Sequence, residues 1–270
     1  MSSAFIVSNG RRQGGIMSPI LFNVYIDDLN KASSACGIGC EIGDIMLNNL
    51  SYADDMCLAA PSIKGLRKLL KICQHFAEEN DIVYNVLKTK CMCFKSRNKC
   101  GSVPPVTLSG HTIEFVSKFV YLGHVITPDL KDDDDIASQR RALCDRANLL
   151  LRKFGNCCLR VKIRLFNTFC NNIYCAQLWS DFNVSSIRSL HVCHNNALRR
   201  FLYVPRNASI SAAFVENNVN NFPVFRRKCI YSLVRRLHCT DNSLLRILAM
   251  SDARYFGVQY RWRQLLYRAS

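Results

Sequence analysis

Apolar positions in the first half of the chain switch between two periods. Ile20, Leu21, Val24, Tyr25 and Leu29 recur at helical spacing, with Ser18-Pro19 reading as N-cap and first helical residue. A helix is therefore predicted to about Ala35, preceded by a glycine-rich turn, GRRQGG, at residues 10–15. Two short apolar runs, 45–50 and 56–60, flank Tyr52-Ala53-Asp54-Asp55 and predict a β-hairpin. Ser62 caps a second helix to about Asn80, whose apolar stripe is Ile63, Leu66, Leu69, Leu70, Cys73 and Phe76. Strands are predicted at 90–95, 105–108 and 112–116, with Ser109-Gly110 joining the last two. Another runs from Phe119 to Thr127 and is stopped by Pro128.

The period then becomes helical throughout. Helices are predicted at about 136–154, 160–179, 185–202, 208–216, 224–239 and 241–250, with Pro205 and Pro223 between helices. The acidic run Asp132–Asp135 suits the N-terminus of the first of these. The fold class is thus α+β: a mixed region, residues 1–130, followed by an all-helical region, residues 131–270, with the boundary near 128–135.

Charge divides the chain at the same place. Net charge is +16, but residues 1–139 hold 14 basic and 15 acidic side chains, while residues 140–270 hold 22 basic and 5 acidic. Nineteen of those 22 are arginine, a composition that points to a polyanion, most simply nucleic acid. A soluble basic domain without such a partner is the alternative. No apolar run is long enough for a membrane span, and no secretory signal is evident, so a nuclear or cytoplasmic protein is expected. The 15 cysteines are odd in number and scattered, with no C-x-x-C pair, so reduced thiols and no disulfide partner are expected.

The sharpest local signal is the acid pair at the hairpin tip. Adjacent carboxylates lifted out on a tight turn repel one another unless a cation lies beside them, and hard oxygen donors suit magnesium. Asp-Asp is also an ordinary turn dipeptide. The order of blocks is more specific. GRRQGGIMSPILFNVYIDDL, SYADD, NVLKTK and FVYLGHVIT, followed by KIRLFNTFCNNIYCAQLW and NNALRRFL, resemble the reverse transcriptases of non-long-terminal-repeat (LINE-like) retrotransposons over nearly the whole chain.

That resemblance implies the C-terminal part of a polymerase palm followed by a helical thumb and post-thumb region. It implies RNA-templated DNA synthesis at two magnesium ions, with RNA template, DNA primer and deoxynucleotides as partners. By position, Asp54 and Asp55 match the metal-binding and catalytic aspartates. Lys88 matches a lysine near the pyrophosphate. Gln13 and Gly14 match the loop beside the incoming nucleotide and template base, with Ser18 opening the helix behind it. Tyr121, Leu122 and Gly123 match the hairpin that grips the primer strand.

One departure bears on activity. The family's first palm aspartate lies on a strand before the glycine-rich loop, and no acid precedes Asp27 in this sequence. Asp27 and Asp28 lie inside the predicted helix and are expected on its surface. The expectation is accordingly a truncated reverse transcriptase that lacks the first palm strand and the fingers and is inactive alone. Two alternatives stay open: a non-catalytic nucleic-acid-binding remnant, and a product that does not fold because its central sheet is cut. Cys91, Cys93 and Cys100 fit no common zinc spacing, and His191, Cys193 and His194 are expected to face different directions on one helix with no second ligand pair. Arg199-Arg200, Arg226-Arg227-Lys228 and Arg235-Arg236 read as solvated basic faces. The aromatic and basic residues of 254–268 suit either base stacking or core packing.

Overall fold

A computed structural model describes residues 16–94, 103–250, 262 and 264–266. They fall into two compact units: one reaches Cys91 and takes in the stretch ending at Glu114, while the other runs from Phe115 onward and includes Met92 and its neighbours.

In the first unit, α1 (Ser18–Ala35) and α2 (Ile63–Glu79) pack around Ile26, Leu29, Cys73 and Phe76. The N-cap of α1 is Met17, so Ser18-Pro19 occupies the first turn itself. Its buried face is Ile26, Leu29 and Ser33, whereas Ile20, Leu21, Val24 and Tyr25 are exposed. Helical spacing identifies the stripe but not which of two adjacent apolar stripes meets the core. Helix α2 follows the prediction: the Ser62 hydroxyl accepts from the Gly65 N–H at 3.1 Å, and Leu69, Leu70, Cys73 and Phe76 are buried.

Between the helices lie two hairpins where one was predicted. β1 (Cys40–Ile42) pairs with β2 (Ile45–Leu47), and β3 (Asn49–Tyr52) pairs with β4 (Asp55–Leu58), both antiparallel. Asn48 divides them. It is buried, its Nδ2 donates to the Ser33 carbonyl at 2.6 Å, and its own carbonyl accepts from Ala59 N–H. That anchor stops residues 45–50 from forming one continuous strand. β5 (Lys90–Cys91), β6 (Val106–Leu108) and β7 (His111–Phe115) form a three-stranded sheet ordered β5-β7-β6. The β6–β7 turn, Ser109-Gly110, has φ of 49° and 78°, the pairing that a tight two-residue hairpin turn requires.

The second unit opens with another such hairpin. β8 (Phe119–Tyr121) and β9 (His124–Ile126) turn at Leu122-Gly123, with φ of 47° and 78°, so the single predicted strand 119–127 is folded back on itself. Five helices were placed well: α3 (Asp133–Phe154), α5 (Val184–Phe201), α6 (Ile210–Glu216), α7 (Phe222–His238) and α8 (Ser243–Met250). Pro223 lies inside the first turn of α7, behind the Asn221 cap, and not between helices.

The predicted helix 160–179 is cut short. α4 spans only Leu159–Phe169, and residues 170–182 form an irregular segment that carries Cys170, Ile173, Cys175, Ala176 and Trp179 into the core. A buried loop must satisfy its backbone polar groups from elsewhere. Here Asp132 Oδ2 accepts from Ser180 N–H and Asp181 N–H at 2.7 and 2.8 Å. Arg226 donates to the carbonyls of Trp179 at 3.0 Å and Ala176 at 3.4 Å. Arg146 reaches the Asn172 carbonyl and Trp262 the Gln177 carbonyl.

Candidate functional site

Asp54 and Asp55 sit at the end of the β3–β4 hairpin. The register pairs Tyr52 with Asp55, which leaves Ala53-Asp54 as a two-residue turn, and Ala53 takes φ 51° to close it. Directly opposed residues share a face, so Ser51, Met56 and Leu58 lie on one side and Leu50, Tyr52, Asp55 and Cys57 on the other. Met56 and Leu58 pack on the α1–α2 core, and the opposite face is exposed. The local cause is plain: apolar anchors on one face hold the hairpin, and the tight turn projects both acids into solvent.

Both carboxylates are exposed, and among the described residues neither is engaged by a cationic side chain. Hard oxygen donors, adjacent and unpaired, are suited to a divalent cation. They are not a complete cage: among the described residues no three His, Cys, Asp or Glu side chains converge on one point.

Lys88 is exposed in a turn fixed by Asn85, whose side-chain oxygen accepts from the Lys88 N–H at 3.1 Å and whose carbonyl accepts from the Thr89 hydroxyl. Ser18 is half-buried in the first turn of α1. Gln13 and Gly14 lie outside the described residues. Asp27 and Asp28 are exposed on α1 and share Lys31, at 2.6 and 3.4 Å.

Tyr121, Leu122 and Gly123 form the end of the β8–β9 hairpin, in the second unit. Tyr174 fixes it: its hydroxyl donates to the Leu122 carbonyl at 2.7 Å, and its ring would lie 3.2 Å from a Cβ added at Gly123. Glycine is therefore favoured there by its φ of 78°, and a Cβ would also press on the Tyr174 ring.

Behind this hairpin is a buried ion pair that the sequence did not reveal. His124 Nδ1 lies 3.0 Å from Asp135 Oδ2. Asp135 is fully buried and also accepts from Val125 N–H at 3.0 Å and Trp179 Nε1–H at 2.7 Å. The Asp135 carboxylate, with the Cys175 sulfur, raises the His124 pKa to about 10 against the opposing effect of burial. Burial pushes the Asp135 carboxyl up, but His124 and the two N–H donors together hold it below the ordinary value.

The neighbouring acids are likewise engaged. Asp133 accepts from Asn183 and Ser186, and Asp134 pairs with Lys118 at 3.0 Å. The acidic run thus fastens the α3 N-terminus to the segment around Ser180–Ser186.

The basic faces need one correction. Arg226 is buried, stacked 4.9 Å from the Phe182 ring, and burial lowers its pKa to about 10. Arg199 is half-buried and donates to the carbonyls of Pro205 and Ala208. Both serve the fold. Arg200, Lys228, Arg235 and Arg236 are exposed as expected.

His194 is a core residue: it stacks on Phe214 at 5.6 Å, meets Asn171 Oδ1 at 2.6 Å, and burial lowers its pKa to about 4. His191 stacks on Phe222 at 5.7 Å, and His194 meets the same ring at 6.1 Å, so these two histidines share one side of α5 and do not face different directions as expected. Among the described residues no helix is long and apolar enough to cross a membrane.

Residues 2–126 match the family described as reverse transcriptase (RNA-dependent DNA polymerase). The RNA-directed DNA polymerase from mobile element jockey of Drosophila melanogaster is 23% identical over 215 residues, covering 76% of this chain and 23% of that protein. Its counterpart from Drosophila funebris is 21% identical over 278 residues, covering 99% of this chain and 30% of that protein. The retrovirus-related Pol polyprotein of a type-2 retrotransposable element of Drosophila melanogaster is 38% identical over 69 residues, covering 26% of this chain and 6% of the relative. The chain spans 23% to 30% of the length of the two jockey polymerases.

Proposed function

From this relationship to the reverse transcriptases of non-long-terminal-repeat retrotransposons, we propose that the chain is part of an RNA-directed DNA polymerase. In this reading it carries one half of the catalytic carboxylate set and a helical region that holds nucleic acid. The single observation behind it is the exposed, unpaired Asp54–Asp55 pair on a two-residue turn, within the matched residues.

Reverse transcriptases as a family use divalent metal ions and bind template and primer. Asp54 and Asp55 would hold magnesium here. A metal pair at such a centre activates the attacking hydroxyl and stabilises the leaving phosphate oxygen. The chain's own contribution is to fix the two carboxylates by anchoring their hairpin on α1 and α2, and to place Lys88, held by Asn85, as a proton donor for the leaving pyrophosphate. Gln13, Gly14 and Ser18 would border the nucleotide and template base, and Tyr121, Leu122 and Gly123 would hold the primer strand.

A nucleotidyl-transfer centre needs carboxylates converging from separate strands, and one hairpin supplies two of them. These 270 residues by themselves should therefore bind metal weakly and not extend a primer. Two measurements test this. Manganese, used as a paramagnetic probe, should broaden the resonances of the 52–56 turn first, and Asp54→Asn with Asp55→Asn should abolish that effect. Broadening centred elsewhere would remove the metal role. Primer extension on an RNA template with magnesium and deoxynucleotides should give no product above the Asp54→Ala control. Template-dependent product lost in that control would overturn the half-centre.

A second reading, nucleic-acid binding without catalysis, is favoured by the charge of residues 140–270 and by the exposure of Arg200, Lys228, Arg235 and Arg236. The two readings are compatible, and the same preparation tests both.

A further inference from the structure

The second unit contains a cavity of about 740 Å³ between α5 and α7, whose walls are mostly apolar and aromatic and whose mouth is cationic. Phe182 forms one wall, held in place by the Arg226 guanidinium stacked on it. His191 and Phe222 form another, their rings 5.7 Å apart and inclined by 29°. His191 belongs to none of the matched motifs, and burial lowers its pKa. Arg188, exposed on α5, and Arg227, half-buried on α7, stand at the rim, and among the described residues no carboxylate pairs with either.

This combination selects a ligand. An aliphatic or aromatic guest alone would account for the walls and leave two guanidinium groups at the mouth without purpose. A free phosphate would account for the rim and leave the walls wet. A flat aromatic ring joined to phosphate satisfies both, and the volume is ample for one nucleotide. Duplex nucleic acid keeps its bases stacked and cannot present one, whereas a single strand can.

We propose that this cavity receives one unpaired base of a single-stranded RNA or DNA, its ring against Phe182 and the His191–Phe222 pair, with the flanking phosphates on Arg188 and Arg227. The proposal rests on the reading that the basic half binds nucleic acid. It adds to that reading a preference for single strands and a place where the base enters.

The experiment is fluorescence anisotropy on the full chain with labelled single strands and duplexes of equal length across a salt series. Single strands should bind at least about fivefold more tightly than duplexes at matched salt, since stacking on an aromatic platform is not screened. His191→Ala should remove most of that preference and leave duplex affinity unchanged. Val184→Met, which crowds the mouth from a position 77% exposed, should do the same. Arg235→Ala with Arg236→Ala, outside the cavity, should weaken both forms alike. Circular dichroism checks that each variant is folded.

Equal affinity for both forms, or a preference untouched by both cavity variants, overturns the proposal while nucleic-acid binding itself stands. Absence of any binding at low salt overturns the nucleic-acid reading and this proposal with it. Displacement of an apolar dye by Val184→Met with strand binding unchanged assigns the cavity to an apolar protein segment, which also overturns the proposal.

Discussion

Replacing Asp135 by asparagine should reveal how much of the second unit rests on one carboxylate. Asp135 is fully buried, accepts from Val125 N–H and Trp179 Nε1–H, and lies 3.0 Å from His124 Nδ1. An amide in its place keeps one acceptor oxygen and turns an NH₂ group toward at least one of those donors. The larger effect is on His124. A histidine that titrates at 6.5 when unfolded and at about 10 when folded is stabilised by the fold on the order of 4–5 kcal/mol. Cys175 supplies part of that shift and the His124 side chain is 21% exposed, which together bring the part owed to Asp135 to about 3 kcal/mol. The sign is fixed by the direction of the shift. A raised pKa stabilises fully below about 6.5 and ceases to do so as pH climbs through about 10. Asp135→Asn should therefore cost about 3 kcal/mol at pH 6.5 and clearly less at pH 9.5. Both tryptophans, Trp179 and Trp262, lie in the second unit, so urea unfolding followed by tryptophan fluorescence reports on it. Comparing variant with wild type at each pH cancels the titration of lysines, tyrosines and other thiols. A destabilisation below about 1 kcal/mol at pH 6.5, or one that is the same at both pH values, would refute the ion-pair argument.

Two further perturbations are read from local geometry. Ala53 is held at φ 51°, which costs an L-residue roughly 1 kcal/mol, so Ala53→Gly should slow hydrogen exchange of the β3–β4 amides and Ala53→Val should accelerate it. Unchanged exchange in both would show that the turn is not strained. The Cys144 and Cys193 sulfurs of α3 and α5 lie 3.0 Å apart, with Cys144 exposed and the Cys193 thiol pushed up to about 12, chiefly by burial. A thiol oxidant such as diamide, taking up two electrons and two protons, should link these two first. Peptide mapping without reductant should find the Cys144–Cys193 bridge before any involving Cys157 or Cys158, and the reverse order would refute it.

What the sequence made legible follows from the range of the forces involved. α2, α5 and the Ser109-Gly110 turn were readable because cap, period and turn chemistry are all local, and they agree. Residues 170–182 were not. Ile173, Ala176 and Trp179 continue a helical spacing well enough. The segment nonetheless leaves the helix because Asp132, Arg146 and Arg226, between 26 and 50 residues away, take over its backbone polar groups. α1 shows the complementary case: its residues form the expected helix, but Ile20, Leu21, Val24 and Tyr25 are turned out while Ile26 and Leu29 are turned in. The acids of the candidate site were legible because an exposed turn needs only its neighbours. Their carboxylates depend on the apolar anchors Met56 and Leu58 two and four residues on.

The acidic run and the arginines illustrate why charge counting must give way to partners. Four aspartates beside a strongly basic region invite the reading that each neutralises a guanidinium. Instead, Asp132 and Asp133 accept from backbone and side-chain N–H or O–H groups, Asp134 takes a lysine, and Asp135 takes a histidine and an indole. Arg226 bonds to carbonyls and Arg199 does likewise, so some arginines are removed from the binding inventory for reasons unrelated to the acids. The two subtractions act on different charges and do not cancel. The aspartates fix a loop, buried Arg226 fixes that loop, half-buried Arg199 fixes the turn after α5, and the exposed arginines of α5 and α7 keep their field. A polyanion bound by this region would therefore be held by residues whose substitution leaves the fold intact, Arg188, Arg227, Arg235 and Arg236 among them. Arg226→Ala should unfold the second unit before it weakens any phosphate contact. Loss of binding in a folded Arg226 variant, with Arg235→Ala and Arg236→Ala silent, is the result that would reverse this assignment of roles.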